Sequence, residues 1–317
     1  MRFLVFGFSV TAEKDGFVER CAAVYETTDP DLEITKLAIG GLQANHARHL
    51  ARKAIEACKP DALIIEMATS AYRTSPRSTW LVEDQRHSME ALFEICQSLN
   101  IGCGLLDLPR IGVVGNTDWT IEINTELARK FSIPHRIVPL DTKLLTDEVH
   151  PTEKGKNVYA ASLAGLIEEM RGSQPDFTGL IRTRSFEAYA ANELNVMNSR
   201  YAQFERAGFK AEVLLIDAGD TVELMLPITV KVTGILMQMG PKSGTFRIRM
   251  NNTEQDIQCY DQHCYYTRMG GKSLAPEITN KIIVTQSTEL PDIELLKGEK
   301  DTDSRVGGIA YVLYEPA

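Results

Sequence analysis

The chain is 317 residues long, with 44% hydrophobic and 24% charged residues. That is an ordinary globular composition with enough apolar residues for a sizeable core, at a length that favours two domains over one. Its 43 acidic and 34 basic residues leave a net charge of −9, which argues against non-specific attraction to phosphate backbones, so no nucleic-acid partner is expected. No apolar run approaches the roughly 20 residues that a membrane-spanning helix needs.

The chain opens on Met1-Arg2 and an apolar stretch from Phe3 to Phe8, soon followed by Glu13, Lys14 and Asp15. The run is short for a signal peptide and reads instead as a buried first strand, with a cytoplasmic location expected. Up to about Arg171, short β-rich apolar runs at 3–6, 33–37, 62–66, 104–108 and 136–138 alternate with stretches at 45–58, 85–99, 119–131 and 152–170 that carry apolar residues at helical spacing. Such alternation, with right-handed crossovers, predicts a three-layer α/β/α sandwich around a mainly parallel sheet.

The turn formers Gly172-Ser173-Gln174-Pro175 close this half. Residues 172–207 read as a linker with a helix around 186–207. The remaining segment, 208–317, carries strand-like runs at 211–216, 222–239, 245–250, 257–260, 281–288 and 308–314 with no helix between them. That predicts an antiparallel β-sandwich, a jelly roll among the options. An exposed edge of such a sheet could serve homo-oligomer formation.

Two segments point to chemistry. Val5-Phe6-Gly7-Phe8-Ser9 places a serine just past the carboxyl edge of a parallel sheet, where α/β folds build their sites. Further on, Asp147-Glu148-Val149-His150-Pro151 precedes the last helix of this half, with Pro151 at the expected first helical position. His150 sits in a strand-to-helix loop on the same edge, and Asp147 can reach its ring across one turn. A serine hydroxyl is a poor nucleophile until a neutral imidazole takes its proton, and a carboxylate fixes the tautomer that can do so. Each segment alone is also compatible with helix capping.

Together, the order and context of these segments resemble the SGNH/GDSL hydrolase superfamily over residues 1–171, whose sheet is flavodoxin-like. Gly7-Phe8-Ser9 resembles the G-D-S motif, Gly40-Gly41 the glycine turn after the second strand, and Asp147-Glu148-Val149-His150 the D-x-x-H motif. The resemblance implies Ser9 as nucleophile, Asp147 and His150 as its partners, and an oxyanion hole from the backbone of Ser9 and Gly41. The third motif, G-x-N-D, falls on Ala68-Thr69-Ser70-Ala71, so Ser70 stands where the family has asparagine. Losing an oxyanion donor outright costs about 2.7–4 kcal/mol; here the Ser70 hydroxyl, or Asn45 beyond the glycine turn, would have to substitute. Phe8 replaces the family's aspartate, a supporting residue. No cofactor and no metal is implied.

The implied reaction is acyl transfer from an ester through an acyl-enzyme on Ser9. The resemblance leaves open a carbohydrate O-acyl esterase, an O-acyltransferase on a polysaccharide or its precursor, a lipid or small-ester hydrolase, and a non-catalytic glycan-binding protein. The appended β-rich half favours an acylated carbohydrate as substrate, by architectural analogy alone. Tyr260, Tyr265 and Tyr266 could stack on sugars but read first as core. His46 and His49, three apart on a helix, read as solvent-facing because no further ligand is evident. Asp261-Gln262-His263-Cys264 reads as structural or ligand-contacting, and Gly270-Gly271 and Gly307-Gly308 as turns. The six cysteines lack a CxxC pair, so free thiols are expected over a Cys259–Cys264 bridge.

Overall fold

The computed structural model describes every residue except 73, 114–117, 182, 183 and 198. It divides into two units, Met1–Arg184 with Ala207–Phe209, and Ser185–Arg206 with Lys210–Ala317.

In the first unit, β1 (Arg2–Gly7), β2 (Glu33–Ala38), β3 (Ala62–Ile65), β4 (Gly102–Asp107) and β5 (His135–Ile137) form a parallel sheet in the order β2-β1-β3-β4-β5. Between them run α1 (Phe17–Thr28), α2 (Ala44–Cys58), α3 (Thr79–Leu99) and α4 (Trp119–Lys130), with α5 (Glu153–Arg171) after β5. Alternate strand residues Phe3, Val5, Ile64 and Leu106 pack with Phe17, Val18, Leu163 and Ile167 of α1 and α5 into one core layer. The intervening residues Leu4, Phe6, Leu63, Ile65 and Leu105 are just as buried on the opposite face, so these strands read as continuous apolar runs.

A parallel sheet gathers all its carboxyl-end loops at one edge. The chain turns from β1 to β2 on one side and to β3 on the other, so the strand order reverses at β1/β3, where such folds open a crevice.

Two helices differ from the sequence reading. The reading had no α1, whose buried residues Phe17, Val18, Cys21 and Tyr25 make too thin a stripe among Glu, Arg and Thr. Helix α3 starts six residues before Gln85, on a Ser78 cap, because its first turn is largely exposed, with Trp80 67% accessible, and so lacks an apolar period.

The second unit is antiparallel. β6 (Glu187–Ala190), β7 (Tyr201–Arg206), β8 (Phe209–Asp217), β9 (Thr221–Met239), β10 (Thr245–Met250), β11 (Thr253–Gln258), β12 (Arg268–Gln286) and β13 (Val306–Pro316) join in one network, ordered β11-β10-β12-β9-β13-β8-β7, with β6 on β13. The 19-residue strands β9 and β12 pair along their length with register shifts between Ser273 and Glu277 and between Thr279 and Lys281. The stretch beyond the shifts pairs with β10, whereas the other half of β9 pairs with β13. Inward residues of both halves, among them Leu224, Ile282, Ile235 and Val312, share one core, so a single bent network supplies both layers.

The helix expected around 186–207 is not formed: Glu187–Ala190 and Tyr201–Arg206 are strands, and residue 198 lies outside the described set. The Ala, Glu and Leu content favours helix, but pairing of Glu187 with Tyr314 and Ala190 with Tyr311 on β13 overrides that local preference. The strand expected at 257–260 ends at Gln258, and β12 begins thirteen residues before Lys281.

Candidate active site

Ser9 lies in a tight turn directly after β1, half-buried, with the turn closed by the Ala12 N–H donating to Phe8 O at 2.8 Å. Gly7 makes that turn feasible: an added Cβ would lie 2.2 Å from Thr11 Oγ1 and 2.9 Å from Glu66 O. Gly40 abuts Ser9, its Cβ position being 3.9 Å from Ser9 Cα and Cβ, and Gly41 takes φ +84°, a backbone conformation that side-chain-bearing residues rarely adopt. The glycine turn after β2 is therefore next to Ser9. Phe8 is fully buried; its ring belongs to the core rather than to the chemistry.

The loop before α5 is a compact device. Asp147 Oδ1 accepts from the backbone N–H groups of Val149 at 2.9 Å and His150 at 2.8 Å, while Oδ2 lies 2.8 Å from His150 Nδ1. Burial pushes the Asp147 carboxyl up, but the His150 and Val149 N–H groups and the His150 ring outweigh it and hold it below the usual aspartate range. An ionised Asp147 can only accept, so Nδ1 donates, and the neutral ring presents an unprotonated Nε2. The Thr146 N–H donates to His150 O at 2.8 Å and the Ile111 N–H to Glu148 O at 2.7 Å, which pins the loop. The proline placement differs from expectation: Thr152 is the N-cap, its Oγ1 accepting from the Gly155 N–H at 3.1 Å. Pro151 stands one residue before the cap and bridges to Leu145.

Glu13 lies within electrostatic reach of the His150 loop. Four residues beyond Ser9, its carboxyl is pushed up by burial and pulled down by the charges of His150 and Lys156, with Asp147 opposing them. Helix α1 supports the same approach, since Arg20 donates to Asn157 Oδ1 at 2.7 Å and to Glu153 O at 3.1 Å. Among the described residues no direct hydrogen bond joins Ser9 to His150. Catalytic hydrogen bonds are often long before substrate is bound.

Ser70 sits in the turn after β3, half-buried, its N–H directed to Met67 O at 3.4 Å. This turn is firmly braced. Arg110, itself buried, donates to Ala71 O at 2.6 Å and holds Asp118 with two further bonds. Tyr72 stacks on Trp119 with ring centroids 5.6 Å apart and donates to buried Asp84, which also accepts from Arg48 at 2.7 Å. Asn45 is half-buried near the start of α2, and its Oδ1 has no hydrogen-bond partner among the described residues.

Sequence reasoning passed over Glu13, Glu66 and Arg110. The available signal was a charge ending an otherwise apolar strand, Ala62-Leu63-Ile64-Ile65-Glu66. His46 and His49 correct another expectation: both are buried, not solvent-facing. In the second unit Tyr260 is 1% exposed and cannot stack on a ligand, while Arg206 lies over the Tyr266 ring at 4.6 Å and Lys297 over Tyr265 at 5.7 Å. Burial pushes the Cys259 thiol up to about 12, and Asp261 of the neighbouring motif is engaged by Arg268.

With this geometry in hand, known proteins offer a comparison. No family model matches the chain, and no curated protein matches it. Among solved structures, a two-domain esterase active on acetylated mannans, co-crystallised with mannopentaose, matches with a TM-score of 0.71 at 14% identity, covering 100% of this chain and 90% of that one. The same type of esterase without that ligand gives 0.69 at 13% identity, covering 100% and 91%. An acetyl xylan esterase covers 53% of this chain and 100% of its own, with a TM-score of 0.43 at 16% identity. What is shared is the fold. The parallel sheet with its helices is the SGNH-like α/β arrangement, and the antiparallel sheet accompanies it in the full-length matches.

Proposed function

We propose that this chain is an SGNH-type serine esterase that removes acyl groups from a carbohydrate. The observation that carries the reading is the Asp147–His150 pair, 2.8 Å apart, standing at the same sheet edge as Ser9 with Nε2 left to act as base. Ser9 Oγ attacks the ester carbonyl while His150 Nε2 takes its proton. The C–O bond then breaks, and the alcohol leaves with that proton. Water repeats the sequence on the acyl-enzyme, returning Ser9. Backbone N–H groups of Ser9 and Gly41, joined by the Ser70 hydroxyl, stabilise the developing oxyanion. A sugar ester as substrate is supported by the full-length likeness in fold to an esterase active on acetylated mannans. Transfer to a second alcohol differs only in what attacks the acyl-enzyme.

The test is labelling by a serine-directed phosphonate alongside acetate release from acetylated mannan and xylan. Wild type is expected to be labelled and active, and Ser9→Ala to be neither. Equal inertness of both proteins would instead support a non-catalytic glycan-binding role, the reading favoured by Ser70 standing in place of asparagine.

A further inference from the structure

Among the described residues of the first unit Glu66 is the least accessible charged group, with 0% exposure, at the switch point of the sheet. Its backbone N–H donates to Phe6 O at 2.8 Å, fixing it against β1. Its Oε2 accepts from Thr11 Oγ1 at 2.7 Å and its Oε1 from Thr69 Oγ1 at 2.7 Å. Both threonines are themselves buried. Thr11 belongs to the turn that carries Ser9; Thr69 immediately precedes Ser70. A buried carboxyl costs several kcal/mol unless hydrogen-bonded, and an apolar residue would suit this otherwise apolar strand better. A carboxylate is special in offering two coplanar acceptors, so two hydroxyls from separate loops can be gripped at once. An amide offers one acceptor and one donor.

We propose that Glu66 is a positioning residue that ties the Ser9 turn to the Ser70 turn and so sets the separation of nucleophile and oxyanion donors. The role rests on the acyl-transfer reading of Ser9 and Ser70. Gly7 belongs to the same device: the space a Cβ would need is filled by Thr11 Oγ1 and Glu66 O, so Thr11 can reach the carboxylate only across a glycine. Misplacement of reacting groups by about 1 Å can cost a hundredfold in rate, so a tether this short has a catalytic consequence although it touches no substrate.

The experiment compares Glu66→Gln, Glu66→Leu, Thr11→Val and Thr69→Val by kcat and KM on an aryl acetate. Amide hydrogen exchange is followed in the turns at 8–13 and 67–72. Glu66→Leu is expected to lower kcat by roughly a hundredfold with KM little changed, and Glu66→Gln to recover part of that loss. Thr11→Val and Thr69→Val should each lower kcat less than Glu66→Leu does and add nothing in the Glu66→Leu background. Exchange should accelerate in both turns. Folded variants with wild-type kcat, or with exchange unchanged in both turns, overturn the proposal. The near-isosteric threonine variants decide it if Glu66→Leu fails to fold. Should wild type prove inert to ester and phosphonate, the acyl-transfer reading falls, and the catalytic role with it; exchange in the two turns still reports whether the tether exists.

Discussion

The two units bury polar side chains for different ends. In the α/β unit Glu66, Thr11, Thr69 and Arg110 hold loops to one another around the carboxyl edge of the sheet. In the β unit Arg305, 1% exposed, spends its guanidinium on the backbone carbonyls of Pro241, Asp301 and Asp303, and Ser243 on those of Gly240 and Cys259. The first pattern fixes side chains relative to one another, which reacting groups require. The second closes loops on a scaffold. The contrast is one of placement: the buried polar groups of the α/β unit tie together turns at the carboxyl edge of its sheet, whereas Arg305 and Ser243 close loops locally.

Five changes would break or sharpen that contrast. Ser9→Ala and His150→Ala should each remove about 10⁶-fold of kcat, read as acetate release, with unchanged melting; retained turnover would move the chemistry elsewhere in the molecule. Asp147→Asn should cost about 10⁴-fold by releasing the wrong tautomer of His150. Because Asp147 is held below the usual aspartate range, its own titration should contribute no pH dependence to that loss between pH 6 and 8. In the β unit Gly307→Ala puts a Cβ 1.8 Å from the Phe246 ring, and calorimetry should show about 1–3 kcal/mol of destabilisation with phosphonate labelling of the folded fraction at the wild-type rate. Slower labelling would show that the scaffold reaches the chemistry. Thr152→Ala deletes the α5 cap and should cost about 1 kcal/mol in urea unfolding, without touching the Asp147–His150 bond.

The subtlest effect is a slope. Burial raises the Glu66 carboxyl from 4.5, the two threonine hydroxyls pull it down, and the charge of Asp107 adds to the rise. An acid raised on folding stabilises the native state fully below its unfolded value, and that contribution is lost as pH climbs through the folded value. The Tm of Glu66→Gln should therefore gain on that of wild type as pH rises from about 4.5. Parallel Tm curves would contradict the shift.

Much of the α/β unit was legible because its strands are continuous apolar runs and its helices carry apolar stripes, patterns that arise from local geometry. All five of its strands lie where the apolar runs stand. Helix α1 escaped because four buried residues in twelve leave a faint period. The β unit was harder: residues 187–190 and 201–206 look helical in isolation, and the first part of β12, from Arg268 to Asn280, carries Gly, Lys and Pro that mimic loop. Their strand state depends on partners more than a hundred residues away in the case of β6 and β13.

Ser9, Asp147 and His150 stood out because a serine ending an apolar strand and an aspartate three residues before a histidine are local arrangements with a chemical reason behind them. Glu13, Glu66 and Arg110 could not be assigned roles from the chain alone. An ionisable side chain acquires its function from what lies within a few ångströms, and for Glu66 those neighbours are a threonine 55 residues earlier and another only three residues later. Periodicity and turn chemistry are local and so were written in the residue order. That the Ser9, Ser70 and His150 loops follow the carboxyl ends of strands in one parallel sheet was decided by strand order and packing, because hydrogen bonds and charges act through space without regard to separation along the chain.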